Sequence, residues 1–233
     1  DDASYPGAGE FTAIAVDPHD SKHLFVAFTK SRSTSAVYGS TDRGASWKEM
    51  TAIPGRALLL TLDKGSLIAV AGSAAYLIGS DGKATALGQL QSGISDAAAA
   101  NAGDAARLYA TTVDGKVFLS ENAGGAWREV TPDLGLGTVR FHAISASDRH
   151  GEVAYVGFRS GKVGETRSNL YNGIAKTTDG GKSWKIVYKE STVPATNLEG
   201  TWIEARSAVE HTESIFSDAP WSLGVAPTDP NVV

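Results

Sequence analysis

Three side chains in the last quarter of the chain are the ones best suited to acid–base chemistry. His211 stands beside Glu210, and Asp218 follows seven residues later. A histidine in reach of a carboxylate can act as a general base, and two carboxylic acids at a suitable separation can cleave a glycosidic bond. No spacing in the sequence identifies such a pair of acids. Catalysis by Asp218, Glu210 and His211 is therefore a hypothesis, and an idle exposed histidine is its alternative.

Arginines and aromatic residues of the same region form a candidate binding set. The arginines could hold an anionic ligand, because a guanidinium group donates paired hydrogen bonds to an oxyanion. Each member also has a purely structural alternative, such as a solvated charge, an ion pair with Glu210 on one helix face, or an aromatic anchor in the core. The candidate ligand-binding residues are Arg159, Arg167, Tyr171, Trp202, Arg206 and Trp221.

Several classes of site have no signal in this sequence. There is no HExxH, P-loop, GxSxG or His-rich motif, and there are no cysteines, so we predict neither a metal nor a cofactor. The net charge of -5 gives no basic footprint for nucleic acid. No apolar run approaches the roughly 18 residues of a membrane helix. The absence of cysteines fits either a cytosolic protein or a bacterial exported one. A first residue that is not Met is consistent with removal of a signal peptide, and the lack of N-glycosylation sites disfavours a eukaryotic secreted glycoprotein, so we predict a bacterial extracellular or periplasmic protein.

One short pattern recurs three times and organises the rest of the chain. The pattern is [Ser/Thr]-x-[Asp/Asn]-x-Gly-x-[Ser/Ala]-Trp, and we call its copies the repeat turns. The Asp or Asn can accept hydrogen bonds from backbone amides two residues on, the Gly supplies a positive φ, and the Trp anchors the returning strand. The pattern's residues are Ser40, Asp42, Gly44 and Trp47, then Ser120, Asn122, Gly124 and Trp127, and then Thr177, Asp179, Gly181 and Trp184.

A second repeat runs in phase with the turns. An apolar strand pair begins at Ile14 and again at Ile94, each 26 residues before its repeat turn, with Ala97–Ala106 predicted as a connection in the later copy. Repeats of about 40 residues with four short strands are typical of β-propeller blades. Between the first two turns, Gly79–Gly82 is a shortened turn without a Trp. The predicted parts are blades at 11–50, 56–90, 92–131 and 139–188, an inserted segment at 189–220, and the start of another blade at 221–233.

The repeat turns resemble the Asp-box (BNR) repeat of sialidase-type, sortilin-type and xyloglucanase-type β-propellers. The resemblance implies an all-β protein, a β-propeller of four-stranded blades, in which the boxes are structural and lie away from the active face. Members with sialidase activity carry an Arg-Ile-Pro type motif before the first box. Nothing before Ser40 matches that motif, so sialidase activity is disfavoured.

Strand polarity predicts which rim of the propeller carries function. Strands in a blade alternate in direction, so the repeat turns emerge on one face, the turn face. The insertions at 159–172 and 189–220 emerge on the opposite face, the loop face, and long loops on a rigid scaffold often carry function. Apolar spacing and a capping pattern predict a helix over 202–216 on this face.

Two functional hypotheses remain open. The first is an exported bacterial carbohydrate-active propeller, a glycoside hydrolase or polysaccharide lyase, that acts on a polysaccharide or oligosaccharide at the loop face near the fourth blade. The second is a non-catalytic propeller for protein binding or assembly. Four blades and the start of a fifth would leave the ring open, so we also predict a second chain that completes it, with seven blades in all.

Overall fold

The structure is a computed structural model that describes residues 9–31, 33–100, 105–160, 171–191, 222–226 and 229–233. None of these residues is in an α-helix, and most of them lie in β-strands. This part of the chain is all-β, as the sequence predicts. The helix predicted over 202–216 lies outside the described residues.

The strands form four antiparallel sheets of four strands, and each sheet follows the last along the chain. Within every sheet the strands pair in sequence order, so each sheet is a simple up-and-down meander. The first sheet comprises β1 Glu10–Val16, β2 Leu24–Ser31, β3 Thr34–Ser40 and β4 Lys48–Pro54; the second, β5 Ala57–Asp63, β6 Ser66–Ala71, β7 Ala74–Ile78 and β8 Ala84–Gln89; the third, β9 Ile94–Ala100, β10 Arg107–Thr112, β11 Val117–Ser120 and β12 Arg128–Glu129; the fourth, β13 Val139–Ala146, β14 Ala154–Ser160, β15 Tyr171–Thr177 and β16 Lys185–Ser191.

Strand β9 is longer than the sequence predicts. The sequence predicts a connection over Ala97–Ala106, and alanine is depleted in strands in general. In the structure β9 continues to Ala100, and Ala97 and Ala100 pair with Ala110 and Arg107 of β10. Both alanines are buried. Their small side chains suit a crowded inner strand, so tertiary packing overrides the weak local propensity.

The sheets pack face to face around their first strands, which are the inner ones. Strand β5 contacts β1 on one side and β9 on the other, and β9 in turn contacts β13. A sheet that lies between two others is therefore apolar on both faces, as strand β6 of the second sheet shows. Leu67 and Ala69 pack in the core shared with the first sheet, whereas Ile68 and Val70 pack in the core shared with the third. This explains why such strands lack the apolar–polar alternation of a half-exposed strand.

Tyrosine hydroxyls link neighbouring sheets. Tyr109 of β10 donates a 2.8 Å hydrogen bond to the Gly151 carbonyl, in the connection between β13 and β14. Tyr155 occupies the same register position in β14 and donates to the Pro230 carbonyl at 2.7 Å. Burial raises the pKa of Tyr109 to about 12, so its hydroxyl keeps its proton and acts as a donor at neutral pH. The residues around Pro230 thus contact the fourth sheet as Gly151 contacts the third.

The three repeat turns share one hydrogen-bond network. In the first, the Ser40 hydroxyl donates to Asp42 Oδ1 and accepts from the Gly44 amide, each at 2.8 Å, and Asp42 Oδ1 also accepts from the Ser46 amide at 2.8 Å. The other two turns repeat these bonds around Asn122 and Asp179 within 0.1 Å. The accepted amide is four residues beyond the Asp or Asn, where the sequence analysis expected two. The longer reach closes the whole turn rather than its first half.

The glycines of the repeat turns adopt the left-handed conformation for which glycine is needed. The φ angles of Gly44, Gly124 and Gly181 are 86°, 91° and 78°. Trp127 and Trp184 then reach across to the preceding sheet, where their indole Nε1 atoms donate to the carbonyls of Gly88 at 3.4 Å and Val130 at 2.9 Å. Each of these two turns therefore fastens its own hairpin and the neighbouring sheet.

The carboxylates of the repeat turns should make the fold sensitive to acid. Hydrogen bonds from Ser46 and Ser183 lower the pKa of Asp42 and of Asp179 from 3.8 to about 2. A lowered folded-state pKa means that the stabilisation is complete above the ordinary pKa and is lost as pH falls towards the folded one. We expect the denaturant concentration at the unfolding midpoint to decrease as the pH is lowered from about 4 to about 2. In the double variant Asp42→Asn, Asp179→Asn this midpoint should decrease less steeply with pH.

Asn122 already occupies the equivalent place without charge, so the double variant is expected to keep the turn geometry. The exposed Asp148, outside the turns, provides the control, and Asp148→Asn should retain the parent protein's slope. If the unfolding midpoints of the parent protein and the double variant depended equally on pH, Asp42 and Asp179 would not be the source of the acid sensitivity.

Candidate ligand-binding site

A cavity of about 780 Å³ opens on the loop face where the inner strands converge. Its wall includes Thr12 of β1, Leu58 of β5, Ser95 of β9 and Phe141 of β13, so all four sheets contribute. The repeat turns follow β3, β11 and β15 and lie at the other ends of the strands. The cavity is thus central and on the face opposite the repeat turns, with a volume in the range of small-molecule sites.

Three arginines line this cavity and come from three different elements. Arg56 immediately precedes β5, Arg140 is the second residue of β13, and Arg159 is the sixth residue of β14. All three positions are at loop-face ends of strands, and all three residues are exposed. Arg56 lies 3.5 Å from the Glu10 carboxylate, an ion pair between two exposed groups that is weak in water.

Arg140 and Arg159 are directly opposite each other on paired strands. Their Cα atoms are register partners in the β13–β14 ladder, which places both side chains on the same side of the sheet. Two like charges at opposed positions destabilise a sheet. Neither arginine forms an ion pair with any residue that the structure describes. The pair therefore makes a concentrated positive charge in a protein whose net charge is -5.

Asp96 is the carboxylate among the described cavity residues, and its oxygens are occupied. Oδ2 accepts from the Ile144 amide of β13 and Oδ1 accepts from the Ala97 amide, each at 2.9 Å. Burial raises the pKa of Asp96, although these two amides and the nearby His142 oppose the shift. The side chain clamps β9 to β13, so its geometry indicates a structural role at the cavity floor.

The remaining polar lining consists of His142 and of small hydroxyl side chains. Thr12, Ser95, Thr112 and Ser222 line the cavity together with the arginines. Ser95 Oγ lies 3.0 Å from Thr111 Oγ1, so one of these hydroxyls is oriented by a neighbour. Hydroxyls both donate and accept, whereas guanidinium groups only donate. The lining suits a ligand that has an anionic group and several hydroxyl groups.

The structure places only part of the predicted site. Arg159 lines the cavity, and Tyr171 begins β15, next to it at the loop-face end of the fourth sheet. The other candidates, catalytic or ligand-binding, lie outside the described residues: Arg167, Trp202, Arg206, Glu210, His211, Asp218 and Trp221. Among the residues that are described, no group of three or more His, Cys, Asp or Glu side chains could hold a metal ion.

Sequence reasoning missed Arg56 and Arg140. Arg140 could have been found by writing out the hairpin that joins β13 to β14, because its register brings Arg140 opposite Arg159. Arg56 carried no such signal. Arg56 reaches the cavity only because the second sheet packs between the first and the third, and a single sequence does not predict how separate sheets pack.

Comparisons with known proteins bear on the fold. No protein-family model matches the chain, and no curated protein matches it significantly. Solved structures do match. The chain superposes on the GH74 xyloglucanase from Xanthomonas campestris with a TM-score of 0.61 over 96% of this chain and 34% of that one, at 18% identity. The Cps50 (Swd1) β-propeller domain of Myceliophteria thermophila gives a TM-score of 0.52 over 78% of this chain and 56% of that one, at 13% identity.

The fold is a β-propeller. A third similar structure is the α-L-arabinofuranosidase from Fusarium graminearum, with a TM-score of 0.52 over 81% of this chain and 68% of that one, at 10% identity. Such low identities establish the architecture alone. The chain spans about a third of the xyloglucanase's length. The described part of the chain contains no helix that is long and apolar enough to cross a membrane.

Proposed function

We propose that the loop face of this propeller binds an acidic polysaccharide or oligosaccharide in the central cavity. The observation that carries the proposal is the opposed pair of Arg140 and Arg159 on one side of the β13–β14 hairpin. A carboxylate or sulfate placed between them accepts hydrogen bonds from both guanidinium groups and relieves their mutual repulsion. The hydroxyl-bearing part of the lining then faces the rest of the sugar.

The proposal places the chain among the exported Asp-box propellers of bacteria. Support comes from the common hydrogen-bond network of the three repeat turns, which makes the Ser or Thr, the Asp or Asn and the Gly of the pattern structurally necessary. An extracellular or periplasmic location belongs to the same proposal. It accords with a polysaccharide as the ligand.

Two reaction classes fit the proposed ligand. Hydrolysis needs two carboxyl groups, and Asp96 is already engaged by two backbone amides, so Glu210 and Asp218 are the acids proposed for that role. Elimination from a uronate needs its carboxylate neutralised and a base to remove the neighbouring proton. The arginine pair would do the first, and His211 is proposed for the second. In a non-catalytic propeller the same cavity would serve binding alone.

A further chain that continues the ring is also part of the proposal. The inner strand β1 exposes large apolar side chains, with Phe11 at 51%, Ile14 at 66% and Val16 at 50% exposure. Equivalent strands of the other sheets pack against a preceding sheet, and their residues are largely covered. A neighbouring sheet from a second chain would cover β1 in the same way.

Binding should depend on the arginine pair. The experiment measures affinity for polygalacturonate and for the neutral polymer galactan, with Arg140→Ala and Arg159→Ala as variants. A hydrogen-bonded charge contributes about 1.5–3 kcal/mol, so each variant should lose roughly tenfold to a hundredfold in affinity for the acidic polymer. Each should also keep or slightly raise its melting temperature without ligand, because one of two repelling charges is gone.

The matched control is Arg149→Ala, an exposed arginine in the connection between β14 and the preceding strand, on the turn face. It should leave affinity unchanged.

The reaction class is measured separately. Reducing-sugar release indicates hydrolysis, and a new ultraviolet absorbance from an unsaturated uronate indicates elimination. Equal affinity for the acidic and neutral polymers, or preference for an acidic peptide over both, would refute the proposed ligand.

A further inference from the structure

The second sheet is cut short on the turn face at both of its connections. The residues Asp17–His23 join the first two strands of the first sheet, whereas only Lys64 and Gly65 join β5 to β6. Between β7 and β8 the chain makes a tight turn at Gly79–Lys83, in which the Gly82 amide donates to the Gly79 carbonyl at 2.9 Å. This turn lacks the Trp of the repeat turns, so the rim of the propeller is lower here than at the other sheets.

The two truncations leave a notch between the first and second sheets, with a volume of about 650 Å³. Its apolar floor consists of Phe25, Met50, Leu67 and Ile78, which belong to the core shared by these sheets. Leu67 and Ile78 are almost fully covered, with exposures of 3% and 2%, so the half-buried Phe25 and Met50 supply the apolar surface that is open to a ligand. The rim includes Lys48, Glu49 and Asp81, together with Trp47, whose ring packs on the core of the first sheet rather than between the first and second sheets. The notch is therefore an apolar socket with a charged edge.

A tryptophan occupies the corresponding place at each of the next two junctions. Trp127 packs in the core between the second and third sheets, and Trp184 packs between the third and fourth. Each indole donates to a carbonyl of the preceding sheet's outer edge, at Gly88 or Val130. The core between the first and second sheets contains no tryptophan among its described residues.

The carbonyl that would receive an indole N–H is present in the notch. Met50 follows Trp47 by three residues, as Val130 follows Trp127, so the two residues are equivalent. A Cβ atom built on Gly82 would lie 2.6 Å from the Met50 carbonyl oxygen, so the backbone of the shortened turn packs against this oxygen. The notch thus has an apolar floor and the equivalent carbonyl, with the Gly82 backbone rather than an indole against that carbonyl.

We propose that the notch binds a tryptophan side chain presented by another polypeptide. A polypeptide fits better than a free indole because the filled junctions also use the backbone that delivers the ring. At the junction of the second and third sheets, the Gly88 amide donates to the Gly124 carbonyl at 2.7 Å, beside the indole contact. The volume also exceeds that of one indole and leaves room for flanking residues. The site is on the turn face, so it is independent of the arginine-lined cavity.

The first test uses the intact protein and two synthetic peptides. One peptide has the sequence of residues 120–129, which contains the repeat turn that fills the next junction, and the other has Ala in place of its Trp. We expect at least about tenfold tighter binding of the Trp peptide, measured by titration calorimetry. Equal binding of the two peptides, or no binding of either, overturns the proposal. Equal affinity for N-acetyltryptophanamide and the Trp peptide would indicate a small-molecule site and would also overturn it.

The second test fills the notch from within. Residues 80–83 are replaced by the sequence of residues 121–127, so that the second sheet acquires its own repeat turn with a Trp. The graft should raise the melting temperature and abolish binding of the Trp peptide, whereas the same graft with Ala in place of Trp should do neither. Should the grafts fail to fold, Ser66→Trp places an indole in the notch from β6, with Ser66→Ala as its control. Undiminished binding by Ser66→Trp contradicts the proposed location.

Discussion

Gly124→Ala is expected to destabilise the protein by about 2–5 kcal/mol. Gly124 has a φ of 91°, where a residue with a Cβ is strained by about 1–2 kcal/mol. In addition, the new Cβ would lie 2.3 Å from the Cβ of Ala75 in the second sheet, a contact that forces the two sheets apart. Overpacking of this kind costs about 1–3 kcal/mol. Urea denaturation of the parent and variant proteins measures the sum.

Gly135→Ala is the control that separates strain from overlap. Gly135 also has a positive φ, at 65°, but a Cβ there would meet no atom within 4 Å. This variant should lose only the backbone contribution, about 1–2 kcal/mol. Losses of the same size at Gly124 and Gly135 would show that the sheets yield freely at Gly124, contrary to the tight packing described here.

Trp184→Ala is expected to cost about 3 kcal/mol. The indole packs in the core between the third and fourth sheets and donates to the Val130 carbonyl at 2.9 Å. Its removal leaves a void and an unpaired carbonyl, and tryptophan-to-alanine changes in cores cost about 3–5 kcal/mol. We take the lower end of that range because Trp184 is only partly buried. Denaturant unfolding gives the measurement.

Trp184→Phe separates the contribution of the ring's apolar packing from that of its hydrogen bond to Val130. Phenylalanine keeps most of the apolar contact but cannot donate to Val130, so this variant should lose about 1–2 kcal/mol. A loss below about 1 kcal/mol for Trp184→Ala would mean that the two sheets are held together by their inner strands alone.

The repeat turns were the part of the fold most accessible from sequence. Ser40, Asp42 and Gly44 act within a span of a few residues, and a local hydrogen-bond pattern leaves a local signature. The extent of β9 was less accessible, because the strand is specified by contacts with β10 and β13 rather than by its alanines. Local propensity loses to packing at such a position.

The residues of the candidate site also differ in whether a local sequence feature predicts them. Arg159 was singled out because it starts a segment that breaks the repeat period. Arg140 and Arg56 sit in regular strand ends, where an arginine is unexceptional, and only the register of β13 with β14 and the packing of the sheets give them meaning. A site built from several sheets has no contiguous sequence to identify it.

The junctions between sheets differ in how they are fastened. The junction of the third and fourth sheets has both a tyrosine bond to Gly151 and a tryptophan bond to Val130, and the junction before it has a tryptophan bond to Gly88 and a backbone bond between Gly88 and Gly124. Phe25 takes the tyrosine's register position in the first sheet, so it brings no hydroxyl to the junction with the second sheet, whose turn brings no indole. These side-chain hydrogen bonds therefore differ in number from junction to junction among the described residues. The first and second sheets are held instead by their shared apolar core and by direct contact of β1 and β2 with β5, so their association depends on apolar burial.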